Sequence, residues 1–187
     1  MTSAPCSARS APTPAGPSRP WASCLATIQA EAHAAQGDAA ACDHALGQAV
    51  EHFSRIDPAN RTPWGAFLDE TSLAAKQGSA HYALAITGRD SRAANRAVPL
   101  LRQAVDQYGP GYARLRGSSL AQLAGSHALA GNVGTAVTLG HQAVDAVSAL
   151  SSPLTYDQLQ VLNTALKPLH TSPGVADLRA RLTATAA

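Results

Sequence analysis

From Trp21 to Leu182 the apolar residues recur at spacings of three and four, and no stretch of useful length alternates with period two. A 3.6-residue period places such residues on one helix face, whereas a half-buried strand needs a period of two. The chain is therefore expected to be all-α, each helix burying one stripe against a neighbour. Trp21, Cys24, Leu25, Ile28 and Ala32 mark the expected buried face of a first helix, stopped at Gly37-Asp38. Cys42, Ala45, Leu46, Ala49, Val50 and Phe53 mark a second, ended before Asp57-Pro58-Ala59-Asn60.

Thr62-Pro63-Trp64 has the cap, proline, helix order of a helix start. A third helix is expected from there, with Trp64, Phe67, Leu68, Thr71, Ala74, Ala75, Gly78 and Tyr82 on one face. Gly78 should weaken its middle by ~1 kcal/mol relative to alanine. Thr87 to Asn95 reads as a loop. Asn95 is expected to cap a fourth helix, because Pro99 is tolerated in a first turn and costly in an interior. Ala97, Val98, Leu101, Ala104, Val105 and Tyr108 form its stripe.

Gly109-Pro110-Gly111 breaks the chain again. Tyr112, Leu115, Leu120, Leu123, Ala124, His127 and Ala128 mark a fifth helix, closed at Gly131-Asn132. Val133, Ala136, Val137, Gly140, Ala143, Val144 and Val147 mark a sixth, Leu159, Leu162, Leu166 and Leu169 a seventh, and Val175, Leu178 and Leu182 a short eighth. Hydrophobic residues are 45% of the chain but aromatics only 4%. Its core must then be built from alanine, leucine and valine, residues that suit closely packed helices. Residues 1–20 hold proline, serine and alanine and no large apolar side chain, so they are expected to form a disordered tail. Residues 21–187 are enough for one domain.

Several function classes are disfavoured. A net charge of +2 with two lysines, Lys76 and Lys167, offers no basic face, so no direct nucleic-acid contact is expected. Cys6, Cys24 and Cys42 form no CxxC or Cys/His pattern, so neither a zinc site nor a disulfide framework is expected. The seven histidines include no HExxH and no tight i, i+4 pair. Asp69 and Glu70 are adjacent, and about 100° of helical rotation separates them, too much for an acid/base pair. Gly125-Ser126-His127 lacks the strand-turn-helix setting of a nucleophile elbow. No P-loop or dinucleotide fingerprint occurs. The chain is expected not to be an enzyme, and to need no metal or cofactor. With no signal-like apolar run in residues 1–20 and no membrane-length apolar stretch, it is expected in the cytoplasm and off the membrane.

The helices come in pairs, each pair joined by a tight turn and followed by a looser one. This is the pattern of a helical-hairpin repeat in which each hairpin buries its open face on the next. One stretch goes further: Leu120, Leu123-Ala124, His127, Ala130-Gly131-Asn132, Ala136, Gly140 and Ala143-Val144 resemble a tetratricopeptide repeat. Ala124, Ala136 and Ala143 take the small positions where the two helices cross at ~8–10 Å. Ala30, Gly37-Asp38, Cys42, Leu46 and Ala49-Val50 repeat the theme, and Gly88-Arg89, Ala97, Leu101 and Ala104-Val105 do so with an insertion. The resemblance implies antiparallel helical hairpins stacked as a short tetratricopeptide-like right-handed solenoid.

The order of Trp64-x-x-Phe67-Leu68-Asp69-Glu70, Gly88-Arg89, Pro99 to Val105 and Tyr112-x-Arg114-x-Arg116 resembles the C-terminal repeat domain of actinobacterial helix-turn-helix regulators, over roughly residues 21–183. There this domain senses a ligand or oligomerises, and a separate N-terminal part binds DNA. Twenty Pro/Ser/Ala-rich residues stand in that place here, which implies either a separate sensor-like module or a reading frame that continues upstream of Met1. The expected function is thus a non-enzymatic module that binds a peptide, a protein or a sensed ligand. The alternative is a small enzyme or metal-binding protein on a helical scaffold. First helices of such hairpins line the concave face, so Asp69, Gln77, Arg114 and Gln122 are the candidate ligand-binding residues. Arg114 and Arg116, near a Gly-rich turn, would suit a carboxylate or a peptide terminus. The far face of the first helix, with Thr27, Glu31 and Gln36 and also Ala22, Ala26 and Ala30, is expected to meet a fused domain or a second copy as a homodimer. Residues 154–170 are expected to cap the other end, with Val175, Leu178 and Leu182 folded back.

Overall fold

A computed structural model describes residues 20–57, 68–149 and 153–185. Among them are eight α-helices and no strand: α1 Pro20–Ala35, α2 Ala39–Ser54, α3 Glu70–Gly88, α4 Ser91–Gln107, α5 Ala113–Leu129, α6 Val133–Ser148, α7 Pro153–Leu166 and α8 Val175–Thr185. Short 3-10 turns, Pro110–Tyr112 and Lys167–Leu169, precede α5 and follow α7. The expected tail at 1–20 lies outside the described residues, apart from Pro20 at the start of α1, and so do Trp64 and Phe67.

Three tight turns make three hairpins, α1–α2, α3–α4 and α5–α6. Asp38, Asp90 and Asn132 each donate their backbone N–H to the carbonyl five residues earlier, on His33 (3.0 Å), Ala85 (3.2 Å) and His127 (2.8 Å). This bond closes a helix in a Schellman turn, and it requires a left-handed residue just before the donor. Gly37 (φ 77°), Arg89 (φ 49°) and Gly131 (φ 85°) are those residues. Asp38 and Asp90 then cap the next helix, accepting from the N–H of Ala41 (2.9 Å) and Arg92 (2.8 Å).

The second turn corrects the sequence reading. Thr87 to Asn95 is not a loop, and Asn95 is not the cap; α4 starts at Ser91. Pro99 therefore lies inside the helix. It stands on the exposed face with Asn95, whose carbonyl it leaves open to water rather than stranded in a core. The early start buries Ala93 and Ala94 against α3, which offsets the lost bond. The third helix also starts differently. Asp69, not Thr62, is its cap, accepting from the N–H of Ser72 at 2.7 Å.

Helices approach through residues with little or no side chain. A methyl group on Gly78 would lie 2.7 Å from Cγ of Leu101, and one on Gly140 would lie 2.5 Å from a methyl of Leu178. Gly78 is thus the crossing point of α3 and α4 rather than only a weak spot. Ala124, Ala136 and Ala143 are fully buried, as the close-crossing argument expects.

Beyond the hairpins, α3 packs on α1 and α5, α5 on α4 and α7, and α8 on α6 and α7. Leu159, Leu162, Leu166, Val175, Leu178 and Leu182 are all buried there, so the last helix does fold back. The first helix is turned the other way from its expected orientation. Ser23, Ala26, Thr27, Ala30 and Ala34 are buried, whereas Trp21, Leu25 and Ile28 are 57%, 49% and 56% exposed. The contact with α2 is close enough for the Ser23 hydroxyl to donate to the carbonyl of Ala49 at 2.9 Å, and tryptophan or isoleucine would not fit there. Val50, Tyr112 and Leu115 are likewise exposed rather than buried. No helix among the described residues is long and apolar enough to cross a membrane.

Candidate functional site

The odd-numbered helices share one side of the molecule and enclose a cleft of about 840 Å³. Each gives it a single helical stripe. From α1 come Cys24, Thr27, Ile28 and Glu31; from α3, Ser72, Ala75, Lys76, Ser79, Ala83 and Ile86. Leu115, Ser118, Ser119 and Gln122 follow from α5, and Gln158 and Val161 from α7. Spacings of three and four keep each set on one face. Tyr108 and Tyr112 close one end, their rings stacked with centroids 5.7 Å apart. A cleft of this size with mostly apolar walls and a few convergent polar groups is the usual form of a ligand site.

Its polar groups form a chain across three helices. The Ser79 hydroxyl donates to Oε1 of Gln122 at 2.7 Å, and Nε2 of Gln122 donates to Oε1 of Gln158 at 3.2 Å. These bonds fix the amide orientations, and they leave one N–H of Gln122 and both of Gln158 for another acceptor. Among the described lining residues the charged ones are Glu31 and Lys76, which pair with each other at 3.6 Å. The described lining thus carries no net charge. Burial raises the Tyr108 hydroxyl above its ordinary value, so it remains a neutral donor.

Of the four candidates read from the sequence, only Gln122 lies in this cleft. Asp69 points its carboxylate at the start of α3 as a cap, next to the lining residues Leu68 and Ser72. Gln77 lies beside Lys76 but off the stripe, and Arg114 is exposed outside the cleft. Arg116 is engaged elsewhere, donating through Nε to the carbonyl of Val105 at 3.1 Å, near the end of α4. The residues missed, Ser79, Gln158 and the Glu31–Lys76 pair, are signalled only by a polar break in each odd helix on the face next to its buried stripe.

No group of three or more histidine, cysteine, aspartate or glutamate side chains suited to a metal occurs among the described residues. Burial and its acidic neighbour Asp43 push the Cys42 thiol up to about 11, and burial also raises Cys24, so neither is a reactive thiolate at neutral pH. Burial holds His81 and His127 below the usual histidine range, with Arg96 and Arg102 respectively acting in the same direction. Neither ring nitrogen of His127 has a hydrogen-bond partner among the described residues. Both rings are thus favoured in their neutral form. The chain matches no family model, no curated protein sequence and no solved structure.

Proposed function

We infer that the chain is a tetratricopeptide-like module whose hairpins stack as a short right-handed solenoid and whose cleft binds an extended, uncharged peptide segment without catalysis. One observation carries this reading: four successive odd helices present the same stripe to one continuous cleft. Free amide N–H groups on Gln122 and Gln158 suit main-chain carbonyls, and the apolar walls suit side chains between them. Because Glu31 and Lys76 neutralise each other, the affinity should depend little on salt. The resemblance given above adds a setting, the sensing half of a transcriptional regulator whose DNA-binding part is separate.

Selection of random peptides on the whole protein tests this. Peptides rich in apolar residues should be enriched and should bind equally at low and high salt. Gln122→Ala should weaken them about tenfold or more, the scale of one lost hydrogen bond to a buried group. The reading fails if no peptide is enriched, or if Gln122→Ala, melting like the parent, binds every selected peptide equally well.

A further inference from the structure

The three hairpin turns are built alike, yet one uses an unsuitable residue. Gly37 and Gly131 fill the left-handed position in the first and third turns, and Arg89 fills it in the second. Glycine takes that conformation freely, whereas a side chain is strained there. Strain kept at one of three equivalent positions indicates a side chain with a task.

Arg89 lines a second cavity of about 310 Å³, set at the C-terminal ends of α3, α5 and α7 and sharing Ile86 with the cleft. Its apolar lining includes Ile86, Ala128, Leu129 and Leu169. Thr164 is its other polar lining side chain. Neither the Arg89 guanidinium nor the Thr164 hydroxyl has a partner among the described residues. Arg89 and Thr164, both exposed at the rim of an apolar pocket, match a ligand with a carboxylate head and an aliphatic tail. The surrounding helix ends are carbonyl ends and repel anions. A single cation there makes a monoanion acceptable and a phosphate dianion unfavourable. At about 30 Å³ per water-sized group, the space holds roughly ten non-hydrogen atoms.

We propose that this pocket binds a short aliphatic carboxylate, its head on Arg89 and Thr164 and its chain against Ile86, Leu129 and Leu169. The same chemistry is offered by a free short-chain fatty acid and by the C-terminus of a peptide ending in an aliphatic residue.

The test uses the whole isotope-labelled protein, titrated with hexanoate, hexanamide, acetyl-Leu-Leu and its C-terminal amide. Hexanoate or acetyl-Leu-Leu should shift the amide signals of Leu129, Thr164 and Leu169, which line this cavity and not the cleft, saturably, while the uncharged amides should not. Tighter binding of hexanoate points to a free fatty acid, and tighter binding of acetyl-Leu-Leu to a peptide terminus. Arg89→Gly should have opposite effects on fold and ligand. Its melting temperature should rise by about 2–4 °C as the strain is released, and its affinity for the carboxylate should fall about tenfold or more. Equal binding of acid and amide would overturn the proposal. So would unchanged affinity in Arg89→Gly, shifts confined to the Gln122 cleft, or no saturable shift with either acid. A fall in melting temperature in Arg89→Gly would overturn the strain argument behind it.

Discussion

Replacing Gly125 by alanine puts a methyl group where the Tyr82 ring already is. The added carbon would lie 2.6 Å from both Cε2 and Cζ of that ring and closer still to its hydroxyl. Carbon atoms prefer about 3.5–4.0 Å, so roughly an ångström of overlap must be relieved. Tyr82 is a rigid ring, fully buried in the main core, and its hydroxyl has no hydrogen-bond partner to guide it elsewhere. Relief must come from separating α3 and α5 or from driving the ring toward the cleft that Tyr82 also lines. Overpacking of this kind destabilises by about 1–3 kcal/mol, and a clash with several ring atoms belongs at the upper end. Alanine returns about 1 kcal/mol of helix propensity. The net expectation is a loss of about 2 kcal/mol, or about 4–8 °C in melting temperature for a chain of this length. Gly47→Ala, interior to α2 with open space around the added methyl, is the control and should gain about 1 kcal/mol. Thermal melts of both variants, with urea titrations to confirm the free energies, decide the matter. Tyr82→Leu in the Gly125→Ala background should recover at least 1 kcal/mol relative to additivity. If Gly125→Ala melts at or above the Gly47→Ala temperature, the α3–α5 contact is not close-packed and the reasoning is wrong.

Two further expectations concern the same packing. Leu178→Ala should destabilise by about 2–5 kcal/mol, because Leu178 is fully buried over Gly140 and its loss leaves a cavity between α6 and α8; a variant lacking residues 154–187 should in turn expose the Leu123 to Val147 layer and aggregate in sedimentation, and a soluble truncation with an unchanged melting temperature would contradict this. Stability should also fall on acidification: His81 and His127 have depressed folded values, so their contribution is complete above the ordinary histidine pKa near 6.5 and declines as pH drops through it, when only the unfolded chain gains the protons. Urea midpoints at pH 7.5 and 5.5 should differ less in a His81→Gln, His127→Phe double variant than in the parent, and an equal difference would refute the assignment.

Much of the hairpin architecture is legible in the sequence because its determinants are local. Gly37-Asp38 and Gly131-Asn132 pair a residue free to turn left-handed with a residue able to cap, and such a pair both ends one helix and starts the next. Arg89-Asp90 does the same without glycine at the left-handed position. That hides the turn and makes Pro99 look like a helix start. The shift of the third helix to Asp69 has a similar origin, since Thr62-Pro63 and Asp69-Glu70 are both valid starts by local chemistry.

What local chemistry does not convey is which face of a helix is buried when two faces are both apolar. In α1, periodicity marks Trp21, Leu25 and Ile28, and a hydrophobicity argument buries the larger residues. Close approach reverses the choice. A helix that must contact both α2 and α3 uses Ser23, Ala26, Ala30 and Ala34, because only small side chains allow the backbones to meet. The larger residues are then displaced outward, and Ile28 and its neighbours become a wall of the cleft. The same reasoning accounts for the candidate site. Gly125 on α5, which leaves room for the Tyr82 ring of α3, brings those helices together and so places Ser79 within reach of Gln122. Gln122 reaches Gln158 across the next contact, between α5 and α7. The cleft is therefore a consequence of glycine and alanine on the buried faces as much as of its own lining. Altering a crossing glycine should disturb the Ser79–Gln122–Gln158 chain without touching any of its members.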